Sequence, residues 1–337
     1  MSPPRLRFSV VVALLLAATA VAFAASLTFG SADLGWARLL DTLGGGGDSV
    51  SRAIVFEIRI PRALLALAVG SGLSVVGVAM QALVRNPLAE PYVLGASGGA
   101  SAGASLFYLG FVPPVVAKSL SMPLAAVAGS WVALLVVFLL ARRGPTLSTA
   151  RLLLAGVAIS ALLGSLTALV TFASPDPDKL RAVLFWLLGS LTGAQWPGVL
   201  VPLAAAGFGT LVLLALARSL DLLAFGEDAA STLGVRVERL KRALLGLSAV
   251  VTGLLVAAAG LVGFVGLVAP HAVRLAVGPA HRRLVPLAAL GGGLFVLLAD
   301  LVARTVLPGQ ELPVGVVTAL CGVPFFLTLL RRSDRLP

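Results

Sequence analysis

Residues 81–100 read QALVRNPLAEPYVLGASGGA and interrupt an otherwise apolar part of the chain. Arg85 and Glu90 make this stretch polar, and its prolines oppose a continuous helix. Apolar runs of the length of a helical membrane span lie on both sides, at 62–83 and 92–111. The stretch therefore predicts a short polar turn between two membrane-crossing helices, and this pattern decides the fold class.

The composition of the whole chain supports a membrane environment. Of its 337 residues, 59% are hydrophobic and 12% are charged, and the mean hydropathy is +1.05. Soluble proteins carry roughly 25% charged residues, so lipid must be the solvent for much of this chain. The single Cys321 excludes a disulfide within the chain. The net charge of +11 comes mostly from arginines between apolar runs, which is typical of membrane topology and does not indicate nucleic-acid binding.

Ten segments are candidates to cross a hydrocarbon core about 30 Å thick. The predicted spans are 8–29, 62–83, 92–111, 121–141, 152–173, 198–217, 243–262, 265–278, 284–303 and 313–330. Residues 180–192 are apolar but too short to span, so a short surface helix is predicted within the outer segment 174–197. We therefore predict an all-α integral membrane protein in which residues 1–337 form a single transmembrane domain.

The basic residues predict the orientation. Arg5 and Arg7 precede the first span and place the N-terminus in the cytoplasm. Ten spans return the C-terminus to the same side, and the inner segments then hold most of the 25 Lys and Arg residues. The first span is also compatible with a cleaved signal peptide, because arginines precede its apolar run and AFAA follows at 22–25. Cleavage of this span stays an open alternative.

A short internal repeat suggests the architecture of a transporter. RALLAL at 62–67 opens the second span, and RALLGL at 242–247 opens the seventh. Five spans separate the two, so they enter the membrane from opposite sides, as in inverted-repeat transporters. Six residues of such common types also recur by chance.

The sequence offers no energy source of its own. None of its three Lys residues follows the glycine that a phosphate-binding loop requires, so ATP is not bound through that motif. His271 and His281 have no acidic neighbour in a metal-binding spacing. Among the acidic residues only Asp300 lies clearly inside a predicted span. Ion-coupled carriers usually have ionisable residues near mid-membrane, so we expect the energy to come from another subunit.

The stretch at 81–100 resembles the signature of the FecCD-type permeases, which import ferric siderophores, heme and vitamin B12. Further matches occur in the order found in that family, from residue 59 to about residue 330. They are RIPR at 59–62, FWLLGSL at 185–191, GEDAASTLGV at 226–235, GFVGLVAPHAVR at 263–274, DLVAR at 300–304 and ELPVG at 311–315.

The resemblance implies the permease fold of a type II ABC importer, a homodimer of the bacterial inner membrane that works by alternating access. It also implies two ATP-binding cassette ATPase subunits, which use ATP and Mg, and a periplasmic or lipid-anchored solute-binding protein. This chain would then be a translocating subunit rather than an enzyme, with no catalytic residue, metal site or cofactor of its own. The expected substrate is a metal chelate, and heme, ferric siderophore and cobalamin all stay open.

Three outer arginines depart from the positive-inside trend, namely Arg59, Arg62 and Arg304. In the resembling family, arginines at these motif positions dock the solute-binding protein, whose carboxylates a guanidinium can engage with two hydrogen bonds. Snorkelling to lipid headgroups is the alternative. We expect docking.

The inner segment 218–242 is the longest predicted cytoplasmic loop. Acidic residues after Gly226 predict a helix start, and Gly234 predicts its end. In the resembling family this short helix sits in a groove of the ATPase subunit and transmits its closure, whereas a solvated interfacial loop is the alternative. The residues assigned to ATPase coupling are Gly226, Glu227, Asp228, Ala229, Ala230, Ser231, Leu233 and Gly234.

Small residues are the candidates for the gate and the pathway. In relatives of the family, two small polar residues between spans four and five narrow the inner end, and here Thr149 matches whereas Ala150 departs from that pattern. Three small residues on one face of span two could leave room for a bulky chelate, although tight helix packing also explains them. The residues grouped as pathway or packing positions are Gly70, Ser74, Gly77, Asn86 and Pro87.

Two other functions compete with import by an ABC permease. Residues 95–98 read GASG, which fits the pattern around the nucleophile of intramembrane serine proteases, with Ser97 as nucleophile and His271 as base. A histidine on an apolar helix is more often a packing residue. An ion-coupled secondary transporter would take up its substrate without ATP.

Overall fold

The computed structural model describes residues 7–30, 34–118, 121–144, 146–174, 176–307 and 309–333. The helices in these ranges are α1 (Phe8–Thr28), α2 (Gly35–Leu43), α3 (Ser49–Ala53), α4 (Ile60–Val84), α5 (Ala96–Tyr108), α6 (Pro114–Ala117), α7 (Met122–Ala141), α8 (Thr149–Phe172), α9 (Pro177–Leu187), α10 (Trp196–Ala215), α11 (Ala217–Leu223), α12 (Glu227–Thr232), α13 (Val237–Ala259), α14 (Val265–Val277), α15 (His281–Ala303) and α16 (Val314–Ser333). A π-helical segment, Ile54–Arg59, joins α3 to α4, and a 3-10 turn covers Pro91–Leu94. Two short strands, β1 (Arg142–Arg143) and β2 (Thr146–Leu147), pair antiparallel. Arg5, which helped to orient the N-terminus, lies outside the described residues.

The helices match the predicted membrane architecture. Seven helical segments of the described chain are long and apolar enough to cross a membrane, namely α1, the continuous segment 49–84 that ends with α4, α7, α8, α10, α13 and α15. Helices α5, α14 and α16 complete the ten predicted spans. The prediction of an all-α membrane protein with about ten spans is therefore confirmed. Below, the end of α4 at Ile60 is called the outer side and the end at Val84 the inner side.

Helix α4 is the centre of the fold. In the most apolar window of the helical segment that ends with α4, 83% of the residues are buried inside the chain. Gly70 lies against the backbone of Gly292 in α15, and Gly77 lies against the backbone of Gly266 in α14. A Cβ atom at either position of α4 would collide with a backbone carbonyl oxygen. Small residues therefore let these helices approach closely, which is how helices associate where lipid removes the hydrophobic driving force.

Two of the ten spans are only partly helical. Helices α5 and α14 have 13 residues each, so each is about 20 Å long and too short for a core about 30 Å thick. Each follows a non-helical segment, at residues 85–95 and 260–264. The predicted span 92–111 is corrected accordingly: Pro91 begins a 3-10 turn, and the left-handed Gly95 (φ +86°) stands before the α-helix.

The two non-helical segments contact each other inside the fold. The Tyr92 hydroxyl donates to the carbonyl oxygen of Val262 and accepts its backbone N–H, both at 3.1 Å. The carboxylate of Glu90 accepts the backbone N–H of Phe264, the residue before α14. Side chains of the first segment thus satisfy backbone groups of the second, as lipid-buried irregular backbone requires.

Candidate functional site

The three arginines predicted for docking converge at the outer end of the fold, where all three are buried. Arg62, near the start of α4, donates from Nε to Asp300 Oδ1 at 3.0 Å. Its Nη1 also donates to both carboxylate oxygens of Glu311, at 2.9 and 3.1 Å. Asp300 is 1% exposed, and its other oxygen lies 3.3 Å from Nε of Arg304. One buried carboxylate thus holds two guanidinium groups.

The same arginines close the outer end of α1. Arg59 donates to the carbonyl oxygens of Leu27 and Thr28 at 2.6 and 2.7 Å. Arg304 donates to the carbonyl oxygen of Ser26 at 2.8 Å. The last carbonyls of a helix have no partner within the helix, and a cation is favoured at its C-terminus. These arginines therefore tie the first span to the start of α4 and the end of α15.

The arginines predicted for docking are buried and paired within the chain, and docking itself stays a prediction. The structure brings Arg59, Arg62 and Arg304 together, as expected, but each guanidinium already contacts a carboxylate or an α1 carbonyl of this chain. Snorkelling to headgroups does not describe them, because each is at most 8% exposed. Glu311, with its side chain 27% exposed, is the most accessible of the paired side chains and also accepts the Thr192 hydroxyl at 3.0 Å.

Three glycines form a backbone junction that the motifs alone did not reveal. Gly189 (φ +80°), Gly260 (φ +66°) and Gly315 come from three separate sequence motifs or their flanks. The Ser190 N–H donates to the Ala259 carbonyl at 2.8 Å, and the Val314 N–H donates to the Gly189 carbonyl at 2.9 Å. A Cβ at any of the three glycines would strike a backbone carbonyl oxygen. The outer loop after α9, the end of α13 and the start of α16 are thereby joined.

The predicted coupling helix exists and lies at the inner side. Helix α12 begins after Gly226 (φ +115°) and is followed by Gly234 (φ +86°), so both glycines stand where left-handed or extended positive-φ backbone is needed. Ala230 is fully buried, whereas Asp228 is exposed. Two large apolar side chains flank the helix in the open, Phe225 at 79% and Leu233 at 63% exposure.

A buried lysine links this helix to the strand β2 that precedes α8. Lys241, in the second turn of α13, is 2% exposed, and its ammonium lies 2.6 Å from Glu227 of α12. It also donates to the Leu147 carbonyl oxygen in β2 at 3.0 Å and lies 3.4 Å from Glu238. The second carboxylate oxygen of Glu238 accepts the Leu147 N–H at 2.9 Å. This site is not evident from the sequence, because Leu147 lies 94 residues before Lys241 in the chain.

The gate and pathway candidates divide into two groups. Thr149, the first residue of α8, lies two residues after Leu147 and is half-buried, and Ala150 is exposed. Asn86 and Pro87 are exposed at the inner turn, where the Asn86 side chain accepts the Leu88 N–H at 2.9 Å.

The surroundings of Gly70, Ser74 and Gly77 support the packing alternative. All three are buried against other helices of the same chain: Gly292, in α15, lies close to both Gly70 and Ser74, and Gly266, in α14, lies close to Gly77. These residues leave no room for a chelate, because the facing backbones fill the space beside them. The packing alternative describes them.

Each of the two histidines contacts another side chain of the same chain. The His271 ring stacks edge-on against Phe325, with ring centroids 6.0 Å apart, and within the described chain no hydrogen bond joins it to Ser97. This arrangement gives the protease alternative no support. His281 has an acidic partner that its sequence neighbours did not show. Asp221 Oδ1 accepts its backbone N–H at 2.9 Å and lies 2.7 Å from its Nδ1.

Comparison with known proteins adds a family to this geometry. Residues 15–332 match the FecCD transport family. The cobalamin import system permease protein of Halobacterium salinarum is 44% identical over 289 residues, which cover 86% of this chain and 76% of that protein. The hemin transport system permease protein of Yersinia pestis is 44% identical over 282 residues, which cover 83% of this chain and 84% of that protein.

A solved structure has the same fold along nearly the whole chain. It is described as an inward-facing conformation of an ABC transporter of the metal-chelate type, and it aligns with a TM-score of 0.82. The alignment covers 96% of this chain and 99% of that one, at 30% sequence identity. The fold is therefore shared along nearly the whole of both chains.

Proposed function

The chain belongs to the FecCD transport family, and from this membership we infer that it is the membrane-spanning permease subunit of an ATP-driven importer. It is a translocating subunit and not itself an enzyme. Its relatives supply the substrate class, because one is named for cobalamin and another for hemin, at equal identity. We propose that this chain moves a metal chelate into the cytoplasm by alternating access.

The observation that carries the ATP-driven part of this proposal is the exposed surface of α12. Phe225 and Leu233 project beside a short helix whose first turn is acidic, on the side opposite to the outer arginine cluster. Large exposed apolar side chains flanked by polar residues are typical of a protein interface. We propose that residues 226–234 dock into an ATP-binding cassette ATPase, which uses ATP and Mg, while this chain binds no cofactor.

A homodimer is the assembly that would enclose a pathway. Helix α8 has only 17% of its most apolar window buried, the lowest share among the seven long spans of the described chain. A cavity of about 540 Å³ also opens beside α16, lined by Phe264, Val323 and Pro324 among others. Pairing two copies across these open faces would leave the substrate path between them, and it would bring the Thr149 ends of two α8 helices into one inner mouth.

The outer arginine cluster remains our proposed position for a solute-binding protein, periplasmic or lipid-anchored. Arg59, Arg62 and Arg304 lie together at the outer ends of α1, α4 and α15, and Glu311 is the accessible carboxylate beside them. A carboxylate of the partner could replace Glu311 on Arg62, because Glu311 is the more accessible member of that pair and a guanidinium engages a carboxylate with two hydrogen bonds.

Reconstitution tests the proposal directly. The permease and its ATPase are placed in liposomes with the solute-binding protein, and uptake of heme, a ferric siderophore and cobalamin is measured with and without ATP. We expect uptake of one chelate that needs ATP and the binding protein. Uptake that follows an ion gradient and persists without ATP would instead identify a secondary transporter. Titration of the binding protein with the same three chelates names the substrate.

A further inference from the structure

Lys241 is a buried cation whose three protons are all used. Its ammonium donates to Glu227 at 2.6 Å, to the Leu147 carbonyl at 3.0 Å and to Glu238 at 3.4 Å. An ammonium has three donors and no acceptor, so these contacts saturate it. Burying a charge is costly unless it is paired and hydrogen-bonded, so Lys241 cannot give up a partner without a replacement.

The partners of Lys241 belong to elements with different proposed tasks. Glu227 is the first residue of α12, the proposed ATPase contact. Leu147 ends β2, and Ser148 then caps α8, which begins at Thr149. Glu238 accepts the Leu147 N–H, so both backbone groups of Leu147 are held from α13. The Leu147 backbone is thus clamped between its β1 partner and the Lys241–Glu238 pair.

We propose that Lys241 is the positioning residue that transmits movement of α12 to the inner mouth at residues 147–150. When an ATPase displaces α12, Glu227 moves with it, and the buried ammonium must follow Glu227 or leave it. Following Glu227 pulls on the Leu147 carbonyl, and with it on the start of α8. This inference deepens the proposed function and rests on it.

The test measures the accessibility of residue 149 at the inner mouth rather than transport. A single cysteine is introduced by Thr149→Cys in a Cys321→Ser background, and the permease–ATPase complex is studied in lipid nanodiscs. The rate of reaction with a water-soluble maleimide is measured with and without ATP and Mg. We expect a change of about fivefold or more in this background and less than about twofold after Lys241→Met, at unchanged ATPase binding; about fivefold corresponds to 1 kcal/mol in the opening of the mouth.

Further variants separate a relay from a structural role. Glu227→Ala removes the acceptor on α12 and leaves Lys241 its contacts with Glu238 and Leu147, so the fold should survive while the ATP response is lost. The double variant Glu227→Ala and Lys241→Met should lose no more of the ATP response than Lys241→Met alone, because the effects of residues in one network are not additive. Lys179→Met, the same change at the exposed Lys179–Asp176 pair, is the control.

Each result has one meaning. A full ATP response in Lys241→Met or in Glu227→Ala overturns the relay while the proposed function stands. If the background itself shows no ATP response although the ATPase is bound, the proposed coupling function fails, and the relay fails with it.

A groove on the surface of the helix pair α7 and α13 supports a second proposal. An apolar groove of about 360 Å³ runs between them, and its lining consists of Trp131, Leu134, Leu135, Phe138, Arg242, Leu245, Gly246, Ala249 and Val250. At Phe138 and Arg242 the groove continues into a polar cavity of about 170 Å³, which Arg142, Thr146 and Glu238 also line. The groove is therefore apolar along its length and basic at its inner end.

The charges at the inner end favour an anion. Arg142 and Arg242 are both exposed, and the Arg142 guanidinium lies 5.6 Å from the centre of the Phe138 ring. The one carboxylate of the polar cavity, Glu238, already accepts the Leu147 N–H and pairs with Lys241. Basic pockets between membrane helices at the cytoplasmic side hold anionic lipid headgroups.

We infer that this groove binds one acyl chain of an anionic phospholipid, with its phosphate between Arg142 and Arg242. A soluble anion would use the arginines but not the groove, and an uncharged lipid would use the groove but not the arginines. The bilayer that surrounds α7 and α13 supplies a ligand with both parts at this depth.

Trp131 provides a probe for this site. In nanodiscs, phosphatidylglycerol with brominated acyl chains should quench more fluorescence than brominated phosphatidylcholine at the same mole fraction. Trp131→Phe should remove the difference. The double variant Arg142→Gln and Arg242→Gln should weaken the preference for the anionic lipid by about fivefold for each arginine, since a basic residue near an anionic surface contributes about 1 kcal/mol.

Three outcomes would contradict the lipid site. Equal quenching by both headgroups excludes a role for the arginines, and a preference that survives Trp131→Phe places the lipid elsewhere. Added inorganic phosphate should leave the quenching unchanged, because the acyl chain holds the lipid. Complete loss of the quenching on addition of phosphate would mean that the arginines bind only a free anion.

Discussion

Replacing Asp300 by Asn should destabilise the outer end of the fold, because Asp300 is the carboxylate shared by Arg62 and Arg304. Its Oδ1 accepts from Arg62 Nε at 3.0 Å, its Oδ2 lies 3.3 Å from Arg304 Nε, and it is 1% exposed. Asn keeps the shape and one acceptor but removes the charge. Two guanidinium groups then remain in a buried site with their common anion gone.

The magnitude follows from the contacts that survive. Breaking a buried ion pair by removing one partner costs about 3–5 kcal/mol. Arg62 keeps Glu311 at 2.9 Å, and Arg304 keeps the Ser26 carbonyl at 2.8 Å, so neither cation is left without an acceptor. We therefore expect the lower end of that range, a loss of about 3 kcal/mol in the free energy of unfolding.

The assay is unfolding by sodium dodecyl sulfate, followed by circular dichroism in mixed micelles. Asp176→Asn is the matched control, because Asp176 pairs with Lys179 at 3.7 Å on the exposed surface and Asn can still cap α9. That control should change stability by less than about 1 kcal/mol. Equal effects of the two substitutions would refute the view that Asp300 organises the outer cluster.

Three further predictions follow from single contacts. Gly77→Ala should cost about 1–3 kcal/mol of stability, because its Cβ meets the Gly266 backbone, whereas Gly207→Ala in open space should be neutral or stabilising in the same assay. Glu311→Gln should tighten docking of the solute-binding protein by about two- to fivefold in a binding titration, and weaker binding would contradict docking at Arg62. Tyr92→Phe should cost about 1–3 kcal/mol, because two backbone groups of Val262 lose their partner, and unchanged hydrogen exchange at residue 262 would contradict this.

The sequence predicted what depends on neighbours along the chain. The apolar runs predicted the spans, because about 20 apolar residues suffice to define a helix in lipid. Gly226 and Gly234 predicted the limits of α12, because helix ends are set by the conformations available to one residue. The family resemblance, which rested on motifs in a fixed order, was confirmed by the match over residues 15–332.

What the sequence could not predict depends on residues that meet only after folding. The partner of Arg62 is 238 residues away at Asp300, and Lys241 finds the Leu147 carbonyl 94 residues away. An arginine at the end of a span reads the same whether it faces solvent or a buried carboxylate. For that reason the sequence predicts docking by these arginines but does not reveal that Asp300, Glu311 and the α1 carbonyls pair with them within the chain.

The inverted repeat gains its support from backbone geometry and not from its six similar residues. In each half a long helix, α4 or α13, is followed by a non-helical segment, a left-handed residue and a helix of 13 residues. The two broken segments meet, because Tyr92 bonds both backbone groups of Val262.

The contact between the two broken segments satisfies backbone N–H groups that would otherwise lack a partner in the membrane. The first N–H groups of a half-helix inside the membrane have no partner, and lipid offers none. The carboxylate of Glu90 accepts the Phe264 N–H at the start of α14, where the positive end of the helix dipole also favours an anion. The half that contains α5 thus completes the half that contains α14. Relative movement of the two halves must therefore pivot about this contact or break it.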